Sequence, residues 1–264
     1  MDIDRRYIQT QVHFATDDLT TMREARRYQG HVFSFFRPYI GARVLEVGSG
    51  IGTTTRTLVE MADRVVGIEP NRASVAYLRQ AVGHHPTFTL HDRHLEECDR
   101  AALIGERFDT VLCVNVLEHI EDDQAALCGF AEIAAPAGGH VLIFVPAVEA
   151  AYGRLDKALG HHRRYSRRRL KRMFDKAALD LQVLKYTNPI GLLGWMFNTY
   201  VSRSSAHSPR QIALFEALVA PWALPLERVV PAPVGLSLVA IARPRRRVPR
   251  GSLLRLKRAT GPRS

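Results

Sequence analysis

The sequence predicts a doubly wound α/β domain on a mostly parallel sheet, and three observations predict it. Short apolar runs alternate with helix-like segments from residue 43 to about 178. The first run opens directly into a glycine-rich loop, Gly48-Ser49-Gly50-Ile51-Gly52. The chain has 264 residues, 46% of them hydrophobic and 24% charged, which suits one such domain with insertions rather than a disordered chain or two full domains.

The elements follow in order. Thr20 to Pro38 places Met22, Tyr28, Val32, Phe35 and Phe36 at helical spacing, and Pro38 closes the helix. Arg43 to Val47 is a strand, the glycine loop follows, and Arg56 to Ala62 is a helix. Arg64 to Ile68 is a second strand ending in Glu69-Pro70. Asn71 caps a helix running through Val82. Pro86 to Leu90 is a strand followed by Asp92, and Leu95 to Ile104 a helix. Phe108 to Val114 is a buried strand, Glu121 to Ala135 a helix, and His140 to Val145 a strand stopped by Pro146. Residues 147 to 166 are a polar connection rich in His and Arg. Arg167 to Ala178 is a helix and Leu181 to Tyr186 a strand. Residues 190 to 228 are apolar and helical, with a polar break at Ser202 to Pro209, and Val234 to Ala242 is the last strand.

Composition excludes several classes. Three cysteines, Cys98, Cys113 and Cys128, with no C-x-x-C pair, argue against a disulfide framework or a structural zinc site and suit a reducing cytoplasm. The opening residues lack the apolar run of a signal peptide. No stretch reaches the ~18 to 20 apolar residues of a membrane-spanning helix. The net charge of +11 is concentrated at one end. Residues 243 to 264 hold nine basic residues and no acidic one, so the rest of the chain carries only about +2. That tail is expected to be disordered in isolation.

The glycine loop sits where open α/β sheets bind ligands, at the carboxyl end of the first strand. Its spacing is G-x-G-x-G, with Thr53 where a dinucleotide fingerprint has its third glycine. Glu46 lies two residues before the first glycine. Its carboxylate would repel a pyrophosphate and favour an amino group or a sulfonium. Glu69 lies 17 residues after Gly52, near the spacing of a ribose-binding carboxylate. The ligand so described is a nucleoside with a cationic tail and no phosphates.

V-L-E-V-G-S-G-I-G-T, V-V-G-I-E-P and F-D-T-V-L-C-V-N-V-L-E-H-I-E-D-D together resemble the class I S-adenosylmethionine-dependent methyltransferases over residues 41 to about 146. The resemblance implies a Rossmann-like, seven-stranded sheet, mostly parallel with the last strand antiparallel, and a helical lid. It implies S-adenosyl-L-methionine as cofactor and S-adenosyl-L-homocysteine as product. Glu46, Gly48, Ser49, Gly50, Gly52 and Thr53 would cradle the methionine part, and Glu69 with Pro70 the ribose. Asp92 and Arg93 would sit by the adenine, and Asn115, Val116 and Leu117 would line the other side. P-A-V-E-A-A-Y-G-R-L-D-K-A-L-G-H-H-R-R-Y, after the fifth strand, is similar to a bacterial subgroup with a D-x-x-x-G-H-x-R-R-Y segment. The domain itself would span 41–242, with inserted helices at about 147–178 and 190–228, an N-terminal helical lid segment at 1–40 and the basic tail at 243–264.

Methyl transfer from a sulfonium needs alignment and a deprotonated acceptor. His119, just after the fourth strand, is a base candidate, because an ordinary histidine pKa near ~6.5 suits the role. His162 and Tyr165 are the other two. His161, Arg163 and Arg164 are candidates for holding an anionic or phosphorylated acceptor, and Tyr28 and Asn188 join them as acceptor contacts. No metal site is expected. Pro146-Ala147-Val148 replaces the acidic cluster that would hold magnesium after the fifth strand. Asn115-Val116-Leu117-Glu118 lacks the Asn/Asp-Pro-Pro-aromatic segment of base-amine methyltransferases, and Cys113 lies inside a strand rather than in a nucleophile's position.

Three acceptors compete. A small metabolite or natural product would be enclosed by the apolar helices at 190 to 228 and by the N-terminal aromatics Tyr7, Phe14, Tyr28, Phe33 and Phe36. A lipid-linked or isoprenoid acceptor would suit an enzyme held peripherally at the membrane by the basic tail, with Trp195 and Trp222 on the apolar helices. RNA would use the tail, but the near-neutral body argues against nucleic acid. Oligomeric state is left open.

Overall fold

The computed structural model describes residues 19–202 and 209–245. Seven strands form one sheet: β1 (Arg43–Val47), β2 (Arg64–Ile68), β3 (Phe88–His91), β4 (Thr110–Val114), β5 (His140–Pro146), β6 (Leu179–Thr187) and β7 (Ser237–Pro244). Their order across the sheet is β3-β2-β1-β4-β5-β7-β6. β1 to β5 pair in parallel, and β7 runs antiparallel to both β5 and β6. The strand order reverses between β1 and β4, and that is where an open α/β sheet offers a crevice.

Helices cover both faces: α1 (Arg26–Phe36), α2 (Thr55–Val59), α3 (Arg72–Val82), α4 (Arg100–Gly105), α5 (Asp123–Ala134), α6 (Arg154–Leu159) and α7 (Arg167–Lys176). The period of two in the central strands sorts their side chains. Val44, Val65, Leu112, Leu142, Val239 and Ile241 face α1, α2 and α3. Leu45, Val66, Val111, Ile143 and Ala240 face α4, α5 and α7. Phe36, Phe108, Phe130, Phe144 and Phe174 are all buried in these two layers. Losing one such ring costs about 3 to 5 kcal/mol, so they anchor the helices to the sheet.

Three expectations are corrected. The helix expected over Leu95 to Ile104 is two pieces, a 3₁₀ turn at Leu95–Glu97 and α4. The carboxylate of Asp99 accepts from the amides of Ala101 (2.9 Å) and Ala102 (3.2 Å) and starts a new helix there. The N-terminal helix, expected as part of a lid segment, belongs to the packing of the domain itself. α1 packs on one face of the sheet, with Val32 and Phe36 buried in one core cluster with residues of β1, β4 and β5. Its N-terminal amides, which its own Ala25 cannot cap, are taken by a carboxylate 189 residues away: Glu216 accepts from Arg27 N (2.8 Å) and Tyr28 N (3.0 Å). The stretch 190 to 228 is α8 (Pro189–Phe197), a wide π turn at Asn198–Ser202, α9 (Pro209–Leu214), a second π turn at Phe215–Val219, and α10 (Ala220–Val229). Tyr7, Phe14, most of the polar break at Ser202 to Pro209 and the tail from residue 246 lie outside the described residues.

Candidate active site

β1 delivers the glycine loop to the crevice. Gly48, Gly50 and Gly52 have φ of +76°, +55° and +85°, which any side chain would strain. A Cβ on Gly48 would strike Val116, so the loop and the turn after β4 touch. A Cβ on Gly50 would meet only a Leu19 methyl at 3.4 Å, which leaves open space on the ligand side. Such a cradle fits a group that must approach the backbone.

Two carboxylates flank the loop. Glu46 is buried and accepts from the Thr55 hydroxyl at 2.6 Å. Burial pushes its pKa up to about 7, against the hydrogen bond from Thr55, with the Glu69 charge adding to the rise. Glu69 accepts from the amides of Gly50 (2.7 Å) and Asn71 (2.8 Å). Burial raises its pKa too, and those two amides oppose the rise. Each carboxylate oxygen keeps a second lone pair for a ligand hydroxyl. Ser49 is buried, Thr53 half-buried and Pro70 exposed beside this pair. Asp92, past the end of β3, is exposed and pairs with Arg79 at 2.8 Å. Arg93 lines a cleft under α4 with His91, Cys98 and Asp99.

The turn after β4 is tight. Asn115 has φ of +52° and its amide donates to Phe144 O at 2.8 Å. Asn115 is exposed and Val116 borders the glycine loop, but Leu117 does not line the cofactor space: its side chain is fully buried in the core. The next residue, Glu118, is also fully buried.

The segment after β5 explains its own sequence. Gly160 ends α6 in the left-handed conformation (φ +78°) and turns the chain back on itself. His161 therefore lies on Asp156, with Nδ1 2.8 Å from Oδ1. The same carboxylate accepts from Gly153 N (2.8 Å) and Arg164 Nε (2.8 Å). Burial works to raise the Asp156 pKa, but His161, Arg164 and the Gly153 amide outweigh it and hold it low.

This geometry corrects several expected roles. Arg164 is not free to hold an acceptor: it is buried, paired to Asp156, bonded to Ala147 O and stacked on Trp195, with 4.1 Å from its guanidinium carbon to the ring centroid. Tyr165 is not a base. It is fully buried, its hydroxyl donates to Leu117 O (3.1 Å) or Asp123 (3.0 Å), and burial with the Asp123 charge raises its pKa far above the ordinary range. Arg163 is occupied by Glu121 O (2.9 Å) and Asp123 (3.0 Å). His162 is exposed, and its amide donates to Glu118 O at 2.9 Å. His119 does not keep the expected pKa. The residue is exposed, but desolvation by the protein atoms around its ring, then the neighbouring His161, lowers its pKa to about 3. At pH 7 it is neutral.

Tyr28 and Asn188 do meet. The Tyr28 hydroxyl reaches the side chains of Asn188 and Ser237. Asn188 caps α8 through Gly191 N (2.8 Å), and its own amide donates to Glu227 (2.9 Å). Glu227 also takes the Thr187 hydroxyl (2.7 Å) and faces His31 at 3.3 Å. This cluster binds α1, β6, β7 and α10 together at the carboxyl edge of the sheet.

The expectation of no metal site overlooked one constellation. Glu118, His119 and His161 each offer a ligand-type atom within 4.8 Å of the others. Glu118 and Asp156 were visible only as letters in motifs. The signal that could have found Asp156 is the D-x-x-x-G-H spacing, one helical turn closed by a left-handed glycine; Glu118 had none.

Comparison with known proteins agrees with this architecture. The family model described as "Methyltransferase domain" matches residues 9–184. Curated relatives include the ubiquinone biosynthesis O-methyltransferases of Azorhizobium caulinodans, 30% identical over 112 residues (42% of this chain, 44% of that one), and Cereibacter sphaeroides, 34% over 103 residues (38% and 40%). The aligned stretch spans less than half of those relatives. Among solved structures, a chain of the Haloferax volcanii complex between the Trm112 methyltransferase activator and a putative methyltransferase superposes with TM-score 0.59 at 15% identity, covering 89% of this chain and 97% of that one. The DhpI–SAH complex gives 0.53 at 16%, covering 91% and 98%. The seven-stranded sheet, the glycine loop over Glu46 and Glu69, and the family match lead to one conclusion: the chain belongs to the methyltransferase-domain family and has the fold of the class I S-adenosylmethionine-dependent enzymes.

Proposed function

We propose that the chain transfers a methyl group from S-adenosylmethionine to a hydroxyl of an apolar small molecule drawn from a membrane surface. The observation that carries the acceptor class is the surface of α8 to α10. Leu193 (68% exposed), Leu218 (62%), Trp222 (56%) and Val229 (80%) present large apolar side chains to water, with Phe197, Tyr200, Leu214, Leu226 and Val230 around them. Large apolar side chains exposed in this number along three successive helices suit a contact with another apolar phase. Among the described residues no helix is long and apolar enough to cross a membrane, and the contact proposed is a peripheral one. The basic tail adds attraction for anionic headgroups, about 1 kcal/mol per residue near the surface. The curated relatives are named for ubiquinone biosynthesis and O-methylation, which agrees with an apolar, hydroxylated acceptor.

When bound, S-adenosylmethionine supplies the electrophile, a methyl group on a sulfonium that leaves as a neutral thioether. The chain's own residues align it. Gly48 to Gly52 with Thr53 give the backbone cradle, Glu46 opposes the cationic end, and Glu69 with Pro70 receives the ribose. Asp92 and Arg93 stand toward the adenine, and Asn115 and Val116 close the other side. Of the expected bases, His162, exposed beside the turn after β4, is the one left open to an acceptor proton. Tyr28 and Asn188 border the acceptor side.

The test is sedimentation with phosphatidylglycerol vesicles. Wild type should pellet with them, and Leu218→Glu combined with Trp222→Glu should not, while both bind S-adenosylhomocysteine equally. Methyl transfer to a hydroxylated isoprenoid in vesicles should fall with the binding. Equal pelleting of the two proteins would refute the membrane assignment, and absence of S-adenosylhomocysteine binding by wild type would refute the methyltransferase assignment.

A further inference from the structure

We propose that Glu118, His119 and His161 form a binding site for one divalent transition-metal ion beside the methyl-transfer centre. Glu118 is fully buried, yet neither carboxylate oxygen has a hydrogen-bond partner among the described residues. A carboxylate placed there without a partner carries a large desolvation cost, and a cation between it and the two imidazoles removes that cost.

The two histidines are already arranged for it. His161 has Nδ1 bound to Asp156 Oδ1 at 2.8 Å, so its Nε2 is the free atom, and it lies 4.0 Å from Glu118 Oε1. A carboxylate behind the ring is the usual outer support of a metal-bound histidine: it sets the tautomer and raises the ring's donor strength. Asp156 is itself held by Arg164 and Gly153, so the support is rigid. His119 meets His161 edge to face, with centroids 4.7 Å apart. The ligand atoms all lie within 4.8 Å of one another, so a shift of under about 1 Å brings them to coordination distance.

Two imidazoles and one carboxylate suit zinc, cobalt, iron or manganese better than magnesium or calcium. Three protein ligands leave a position open, and the exposed side of His119 gives it access. The role of the ion rests on the O-methyl-transfer proposal above; the site itself does not. An acceptor hydroxyl filling the open position would lose its proton to solvent, because a bound cation lowers the pKa of a coordinated hydroxyl. Its oxygen would then form the C–O bond as the C–S bond breaks, and the electron pair would stay on sulfur.

The experiment uses the untagged full chain stripped with a chelator. Cobalt(II) is titrated and followed by its visible absorption, and zinc(II) by calorimetry. One equivalent of each should bind. Glu118→Gln and His161→Ala should weaken binding at least about 10-fold. His119→Ala, whose ring is at the surface, keeps the test valid if the buried variants fail to fold, and it should weaken binding likewise. Absence of one-equivalent binding, or binding unchanged in His119→Ala, overturns the site. Calorimetry with S-adenosylhomocysteine on the same samples separates this failure from failure of the methyltransferase assignment.

Discussion

Replacing Glu46 with Gln should remove the pH dependence that this side chain gives to stability. The side chain is 4% exposed, and burial lifts its pKa from 4.5 to about 7 in the folded protein. A carboxyl whose folded pKa is raised favours the fold while protonated. That contribution is complete below about pH 4.5, declines as pH rises, and is gone above about pH 7. The interval of about 2.5 pH units at 1.36 kcal/mol each corresponds to about 3 kcal/mol. Gln keeps the size and a hydrogen-bond acceptor for the Thr55 hydroxyl but cannot ionise. Comparing the two proteins across pH therefore cancels every other titrating group. Thermal unfolding of cofactor-free protein from pH 5 to pH 8.5 is the assay. At pH 5 the two should melt within about 2 °C. By pH 8, Glu46→Gln should melt about 6 to 12 °C higher, the shift about 3 kcal/mol produces in a domain of this size. On the proposed placement of Glu46 opposite the ligand's amino group, the same variant should bind S-adenosylhomocysteine less tightly at pH 8, where the wild-type carboxylate is charged. A difference in melting temperature that stays flat from pH 5 to pH 8.5 would refute the assignment of a neutral, buried carboxyl.

Two further outcomes follow from the site. Glu69→Ala should weaken S-adenosylhomocysteine binding by about 1.5 to 3 kcal/mol, roughly 10- to 150-fold by calorimetry, if the carboxylate that accepts from the Gly50 amide also holds the ribose as proposed; unchanged affinity in a folded variant would remove Glu69 from the site. Tyr165→Phe should cost about 1.5 to 3 kcal/mol of stability, because its hydroxyl bond to Asp123 is buried. Turnover well below the melting temperature should stay within a few-fold of wild type, and a drop of about 10²-fold or more would restore Tyr165 as a base.

By itself, the sequence determined the local choices. Alternating apolar runs specified β1, β2, β4 and β5 close to their observed ends, because a strand buried on both faces needs a short continuous apolar run bounded by turn residues. Gly48, Gly50 and Gly52 required a backbone that only glycine adopts easily, and Glu46 and Glu69 stood at strand ends beside it. These features lie within about two dozen residues of one another, so spacing alone could carry them. Tertiary structure decided what depends on distant partners. Arg163, Arg164 and Tyr165 read as an open basic cluster in one dimension. In three dimensions Asp156, Asp123 and Trp195 consume them, because a buried guanidinium or hydroxyl must find its partner inside. The N-terminal helix read only as a lid segment, whereas Glu216 in the second π turn and Glu227 in α10 tie it to the rest of the domain and to the edge of the sheet. Glu118 carried no signal at all. Its burial without a partner beside His119 and His161 arises only when the turn after β4 and the turn after α6 are folded against each other.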